Sequence, residues 1–289
     1  MSENAHSTSV RRRRLVVALD RAEDAQLLVD AAADMAARMH AELAGLFIED
    51  MDLLGLGDNP LIRMVSAHAT ATRSIATSEI ERVLRREIAA ARDALERAAK
   101  ARRIHSSFEV RRDRLISALQ ELEEPDLILV RRGPRNVHHA PASRRARVSA
   151  ATRQVVLAAR RPLIVLDVHT GAAGRLVALY DGSPETERAL AAAADIADRR
   201  GDDGITVLPV ATSEAEAEEL AERARAVLAR FGHRPRIGPR TDPDIGAVCR
   251  AARESGPGLL VLHAEHRLLA DEGMARLLDD IDCSVMVVR

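Results

Sequence analysis

Apolar residues along this chain follow two spacings. Short runs such as Leu15-Val16-Val17-Ala18-Leu19 and Leu127-Ile128-Leu129-Val130 are apolar at every position. Between them lie longer stretches whose apolar residues recur every three or four positions. A continuous short run suits a strand covered on both faces of a parallel sheet, whereas the three-four spacing places one stripe along a helix. The stripe Ile80, Val83, Leu84, Ile88, Ala91, Leu95 and Ala98 predicts a helix over 79–103. The same reasoning predicts strands at 14–19, 42–48, 104–110, 126–130 and 162–167, with further helices at 22–39, 113–123 and 147–159. Later in the chain it predicts strands at 175–180, 205–210, 234–238, 259–263 and 283–288, again with helices between them. Ser183-Pro184 reads as an N-cap followed by proline in the first turn, and Asp242-Pro243 looks like the same device.

The two series are one unit written twice. RLVVALDRAEDAQLLVDAAADMAAR (14–38) aligns without a gap to RLVALYDGSPETERALAAAADIADR (175–199), with 10 of 25 positions identical, Asp20 with Asp181 and Asp34 with Asp195 among them. Each series closes on a short apolar run, RPLIVLDV (161–168) and CSVMVVR (283–289). We therefore expect domains at 11–169 and 174–289, joined by the small-residue stretch after His169, with an insertion at 51–78 in the first. The fold class is α/β: two tandem, open, doubly wound, parallel five-stranded sheets, for which 3-2-1-4-5 is the strand order taken below.

In such sheets ligands sit beyond the carboxyl ends of the strands, where the winding reverses between strands 1 and 4. That rule selects Asp20 with Arg131, Arg132, Gly133 and Arg135 in the first copy, and Asp181, Gly182, Ser183 and His263 in the second. Asp20 and Asp181 have a second reading, as caps or turn residues.

The motif LVALYDGSPETERALAAAADIA, set in this five-strand unit, resembles the universal stress proteins in tandem form. The resemblance runs from Arg14 to Arg289 and is clearest at 175–199 and in LLDDIDCSVMVVR (277–289). It implies a cytoplasmic stress-response or regulatory protein, with strand-5 pairing and, in some members, ATP binding. ATP-binding members carry Gly, two residues, Gly, nine residues, then Gly and Ser or Thr after strand 4. Phosphates need bare backbone N–H groups there and a helix N-terminus beyond. Neither copy has this signature: the second reads LLVLHAEHRLLADEGMARLLDD with Gly273 alone and a shorter connection. The first reads LILVRRGPRNVHHAPASRRARVSAATRQ with Gly133 alone and Arg147-Val148-Ser149 where Gly-Ser would fall. The expectation is a non-enzymatic protein acting through protein partners or self-association, with ATP binding lost in both copies and no cofactor. The alternative is a regulator in which first-copy arginines hold ATP or another adenine nucleotide, or a smaller anion.

Charge sharpens this only slightly. Residues 1–170 carry 28 Lys and Arg against 23 Asp and Glu, and residues 171–289 carry 15 against 21, so the overall net charge of −1 hides halves of about +5 and −6. Nine arginines and no acid lie between Arg131 and Arg161, which reads either as an anion site or as a solvated basic surface. With one Tyr, three Phe and no Trp in the chain, and none in this stretch, a base-stacking nucleic-acid platform is not expected. No run approaches the ~20 apolar residues of a membrane span, and no secretory leader is recognisable at the N-terminus. The two cysteines, Cys249 and Cys283, suit a reducing compartment and read as small packing residues. His263-Ala-Glu-His266 lacks a third metal ligand, so no metal is expected, and no nucleophile elbow is present. The insertion follows strand 2 and is expected to cap the crevice or meet a partner. The final strands, Pro162–Asp167 and Ser284–Val288, are expected to pair with each other and hide their edges.

Overall fold

The structure is a computed structural model that describes residues 13–19, 25–50, 64–65, 72–73, 77–122, 127–133, 148–168, 171–172, 174–201, 204–270 and 272–289. The first copy consists of β1 (Arg14–Leu19), α1 (Ala25–Arg38), β2 (Glu42–Asp50), the short β3 (Met64–Val65) and β4 (Thr72–Arg73), α2 (Thr77–Arg102), β5 (Ser106–Asp113), α3 (Leu115–Gln120), β6 (Leu127–Arg131), α4 (Ala150–Ala158) and β7 (Leu163–Leu166). The second consists of β8 (Arg175–Tyr180), α5 (Pro184–Arg200), β9 (Ile205–Pro209), α6 (Glu214–Ala229), β10 (Arg236–Ile237), α7 (Ile245–Ser255), β11 (Pro257–His263), a 3-10 turn (Arg267–Leu269), α8 (Gly273–Asp280) and β12 (Ser284–Val288).

The strands make one ten-stranded sheet in the order β10-β9-β8-β11-β12-β7-β6-β1-β2-β5. Each half has the expected 3-2-1-4-5 order. The halves join by antiparallel pairing of the two last strands, Val285 with Val165, Met286 with Ile164 and Val287 with Leu163. This register is palindromic in the repeat, so an internal twofold axis passes through the Ile164–Met286 pair. Every other contact in the large sheet is parallel.

Helices cover both faces and divide the interior into two cores. One holds Val29, Ala33 and Ala36 of α1, Leu95 of α2 and Leu190 and Ala194 of α5. The other holds Leu119 of α3, Val155 of α4, Val248 of α7 and Leu277 of α8. Alternate strand residues feed each core, Val17 and Leu129 the first, Val16 and Ile128 the second, which is why β1 and β6 are apolar throughout. Small alanines let helices approach the sheet closely: in α5 the face Ala189, Leu190, Ala193, Ala194 and Ala197 is buried. That helix begins where its sequence signals placed it, with the Ser183 hydroxyl accepting from Thr186 N, and ends at Gly201 in the left-handed region, φ 62°.

One reading needs correction. α7 does not start at Asp242-Pro243: Asp244 accepts from Ala247 N at 2.8 Å, while the Asp242 carboxylate is taken by Arg240. A cap two residues later satisfies the helix, and the proline stays in the turn. Within the insertion, β3 and β4 pair antiparallel, and its expected capping role falls on residues outside those described.

Candidate functional site

The register of the sheet places the crevice residues. Arg131 lies opposite Leu166 at the end of β6, and His263 opposite Val288 at the end of β11, so the two are counterparts in the repeat. In the second copy the crevice lies between the ends of β8 and β11, and it is built around Asp181. Its Oδ1 accepts from Ser183 N at 3.1 Å and from the Thr186 hydroxyl at 3.0 Å. Its Oδ2 faces His266 Nε2 at 3.6 Å and Arg267 Nε at 3.4 Å. The Asp181 side chain is 6% exposed and that of His266 is fully buried. Burial alone would raise the Asp181 pKa; the Ser183 hydrogen bonds, the His266 ring and the Thr186 hydroxyl outweigh it and hold the carboxyl below its usual value.

The two histidines stand three residues apart, His263 at the end of β11 and His266 in the turn that follows. Both are buried. Each ring accepts a backbone N–H two residues on: His263 Nδ1 from Glu265 N and His266 Nδ1 from Leu268 N, both 3.2 Å. In neutral His266 the proton then sits on Nε2, which faces Asp181 without completing a hydrogen bond. The His263 Nε2 lies where it accepts from Arg188 Nε at 3.2 Å. A neutral imidazole has a single acceptor, so the Arg188 and Glu265 N–H groups compete for this ring. Burial first, and then the Arg188 charge, keep the His263 pKa below its usual value. Burial does the same to His266, and Asp181 offsets it only in part.

Gly182 and Ser183 form the turn. Gly182 has φ +81°, a conformation that favours glycine, and a Cβ there would press on the ends of the Leu220 and Arg223 side chains. Its carbonyl accepts from Arg223 Nη2. Gly273, the lone glycine of the shortened connection, has a packing role: a Cβ would stand 2.0 Å from the Leu268 carbonyl oxygen.

In the first copy, Asp20 lies outside the described residues, as do 134–147, which hold Arg135 and three more of the nine arginines in the basic stretch. Arg131 is half-buried, and its carbonyl accepts from the Thr152 hydroxyl at 3.0 Å. Gly133 has φ 125°. Sequence reasoning placed Arg132 at the crevice mouth; its guanidinium instead reaches into the second copy. It donates to the carbonyls of Leu278, Ile281 and Cys283 at the end of α8, and lies 3.7 Å from the buried Asp167 carboxylate. The partial negative charge of a helix C-terminus attracts it there. Ser149 caps α4 by accepting from Thr152 N. Just ahead of the helix, Val148 N donates to Asp279 Oδ1 at 2.8 Å, and Arg153 holds Asp279 Oδ2 at 2.5 Å, so a carboxylate from the other copy is tied to the entrance of α4. Nothing in the sequence pointed to Asp279, because its partner lies 131 residues away.

The whole architecture matches solved structures across nearly its full length. A universal stress protein of Archaeoglobus fulgidus has TM-score 0.69 and 13% identity, covering 96% of this chain and 99% of the other. The chain has the universal-stress-protein fold, in tandem. A universal stress protein structure from Pseudomonas aeruginosa has TM-score 0.56 at 16% identity, over 96% of this chain and 93% of that one. A second Pseudomonas aeruginosa protein, of unknown function, has TM-score 0.54 at 16% identity, over 96% and 92%. No protein-family model matches the sequence, and neither does any curated protein. Among the described residues, no cluster of three or more metal-ligating side chains occurs and no helix is long and apolar enough to cross a membrane. Both cysteines are buried, and burial pushes the Cys283 thiol up to about 12.

Proposed function

We propose that this is a non-enzymatic universal-stress-type protein, acting in stress response or regulation through protein contacts, in which ATP binding is lost in both copies. The observation that carries the proposal is that the groups suited to a phosphate are already engaged by the protein's own carboxylates. Asp279 takes the Val148 amide and the Arg153 guanidinium at the entrance of α4 in the first copy, and Ser149 caps that helix. Asp181 takes the Ser183 amide and the Arg267 guanidinium in the second, beneath buried His263 and His266. A triphosphate entering either crevice would meet a fixed negative charge and lose hydrogen bonds that the carboxylate already makes.

Titration calorimetry of the full chain with ATP, ADP and AMP, with and without magnesium, tests this. The expected result is no saturable heat at ligand concentrations up to millimolar. Micromolar binding would overturn the proposal, and its loss on Arg131→Ala would favour a nucleotide-binding regulator that uses the first-copy arginines.

A further inference from the structure

At the opposite end of the sheet from the crevices, the first copy contains a cavity of about 230 Å3 between the C-terminal ends of α3 and α4. Ile116, Leu119, Ile128, Val155 and Leu163 form its apolar wall, and Gln120, Arg160 and Arg161 stand at its rim. The repeat supplies an internal control, because α4 and α8 superimpose in register through the paired strands that follow them. The counterpart of Ala159 is Ile281, which is buried and packs into the second copy's core. The counterpart of Arg160 is Asp282, which pairs with Arg253 of α7 at 3.2 Å, while Arg253 also donates to the Asp280 carbonyl. The second copy therefore fills the space with a branched side chain and ties its helices together with an ion pair. In the first copy, α3 is six residues long against eleven for α7, alanine replaces isoleucine, and the acid has become arginine. Among the described residues, neither Arg160 nor Arg161 has an acidic partner.

We infer that this cavity binds a small amphipathic carboxylate, its aliphatic body against the Leu119–Val155 wall and its head between Arg160 and Arg161. An apolar wall with a polar rim suits an amphipathic guest, and guanidinium groups recognise carboxylates bidentately. The volume holds roughly eight water-sized groups at ~30 Å3 each, which corresponds to a medium chain rather than a long one. The negative end of α4 does not oppose the anion, because Arg289 already caps the carbonyls of Val156 and Leu157.

The experiment is calorimetry of the full chain with straight-chain carboxylates from butyrate to dodecanoate, with octan-1-ol as the uncharged control. Affinity is expected to rise about fourfold per methylene and to stop rising near octanoate. Octan-1-ol should bind at least ~10-fold more weakly than octanoate. Ala159→Ile, which copies the second half, should abolish octanoate binding while circular dichroism stays unchanged. Arg161→Gln, a rim substitution that leaves the core intact, should reduce octanoate to the affinity of octanol. Absence of octanoate binding, or binding that survives either substitution in a folded protein, overturns the inference; if Ala159→Ile does not fold, Arg161→Gln alone decides.

Discussion

His266 Nε2 and Asp181 Oδ2 lie 3.6 Å apart in the second-copy crevice, one an imidazole kept neutral by burial and the other a carboxylate kept ionised by its hydrogen bonds. Around them stand His263, which is also buried, and the cations Arg188 and Arg267. The pair therefore makes the stability of the fold depend on pH.

A histidine whose folded pKa lies below the ordinary ~6.5 favours the folded state fully above that value, and its contribution falls as pH drops toward the folded pKa. His263 and His266 both shift in this direction. The melting temperature should hold level above about pH 7 and fall progressively as the pH drops below ~6.5. Replacing both residues, His263→Gln and His266→Gln, should flatten the curve between pH 7.5 and 5.5 in thermal melts monitored by circular dichroism. Asp181 acts in a separate window: its lowered pKa favours folding above ~4, and that contribution is lost as pH falls through the folded value.

Arg132 joins the two copies through a nearly buried side chain, 11% exposed, against an Asp167 carboxylate that is 2% exposed. Arg132→Ala leaves the Leu278, Ile281 and Cys283 carbonyls without this donor and the buried acid without this cation. Urea unfolding should register a loss of about 3 kcal/mol. Asp167→Asn in the same chain should recover part of it by removing the charge.

Gly273 is required for space. A methyl group at this position collides with the Leu268 backbone carbonyl, which cannot swing away as a side chain could. Gly273→Ala should destabilise by about 1–3 kcal/mol, read from the urea midpoint. If the glycine were instead a remnant phosphate contact, this substitution would leave stability unchanged.

Cys283 and Cys249 should be silent toward thiol reagents in the native state. With its pKa pushed up to about 12, Cys283 has almost no thiolate at pH 8, and access is closed as well. Iodoacetamide followed by mass spectrometry should label neither cysteine in the folded chain and both in urea.

The resemblance to the universal stress proteins implied the pairing of the final strands and agreed with the strand order, and their antiparallel direction came from the structure. The sequence by itself determined the two-copy organisation and the alternation of strands and helices, through fully apolar runs for strands covered on both faces, three-four stripes for helices, and a repeated Asp at the end of strand 1. It also located the second-copy turn at Asp181-Gly182-Ser183, where the chemistry is local, and showed that the phosphate-binding glycines are missing. Only the tertiary structure decided what stands in their place. That His266 turns onto Asp181, that Asp279 reaches the Val148 amide ahead of α4 and that Arg132 leaves its own crevice for α8 all depend on side chains far apart in sequence. The cavity beside Ala159 was hidden for the same reason. Periodicity reports which face of an element turns inward, whereas a void records how completely two faces fill the space between them.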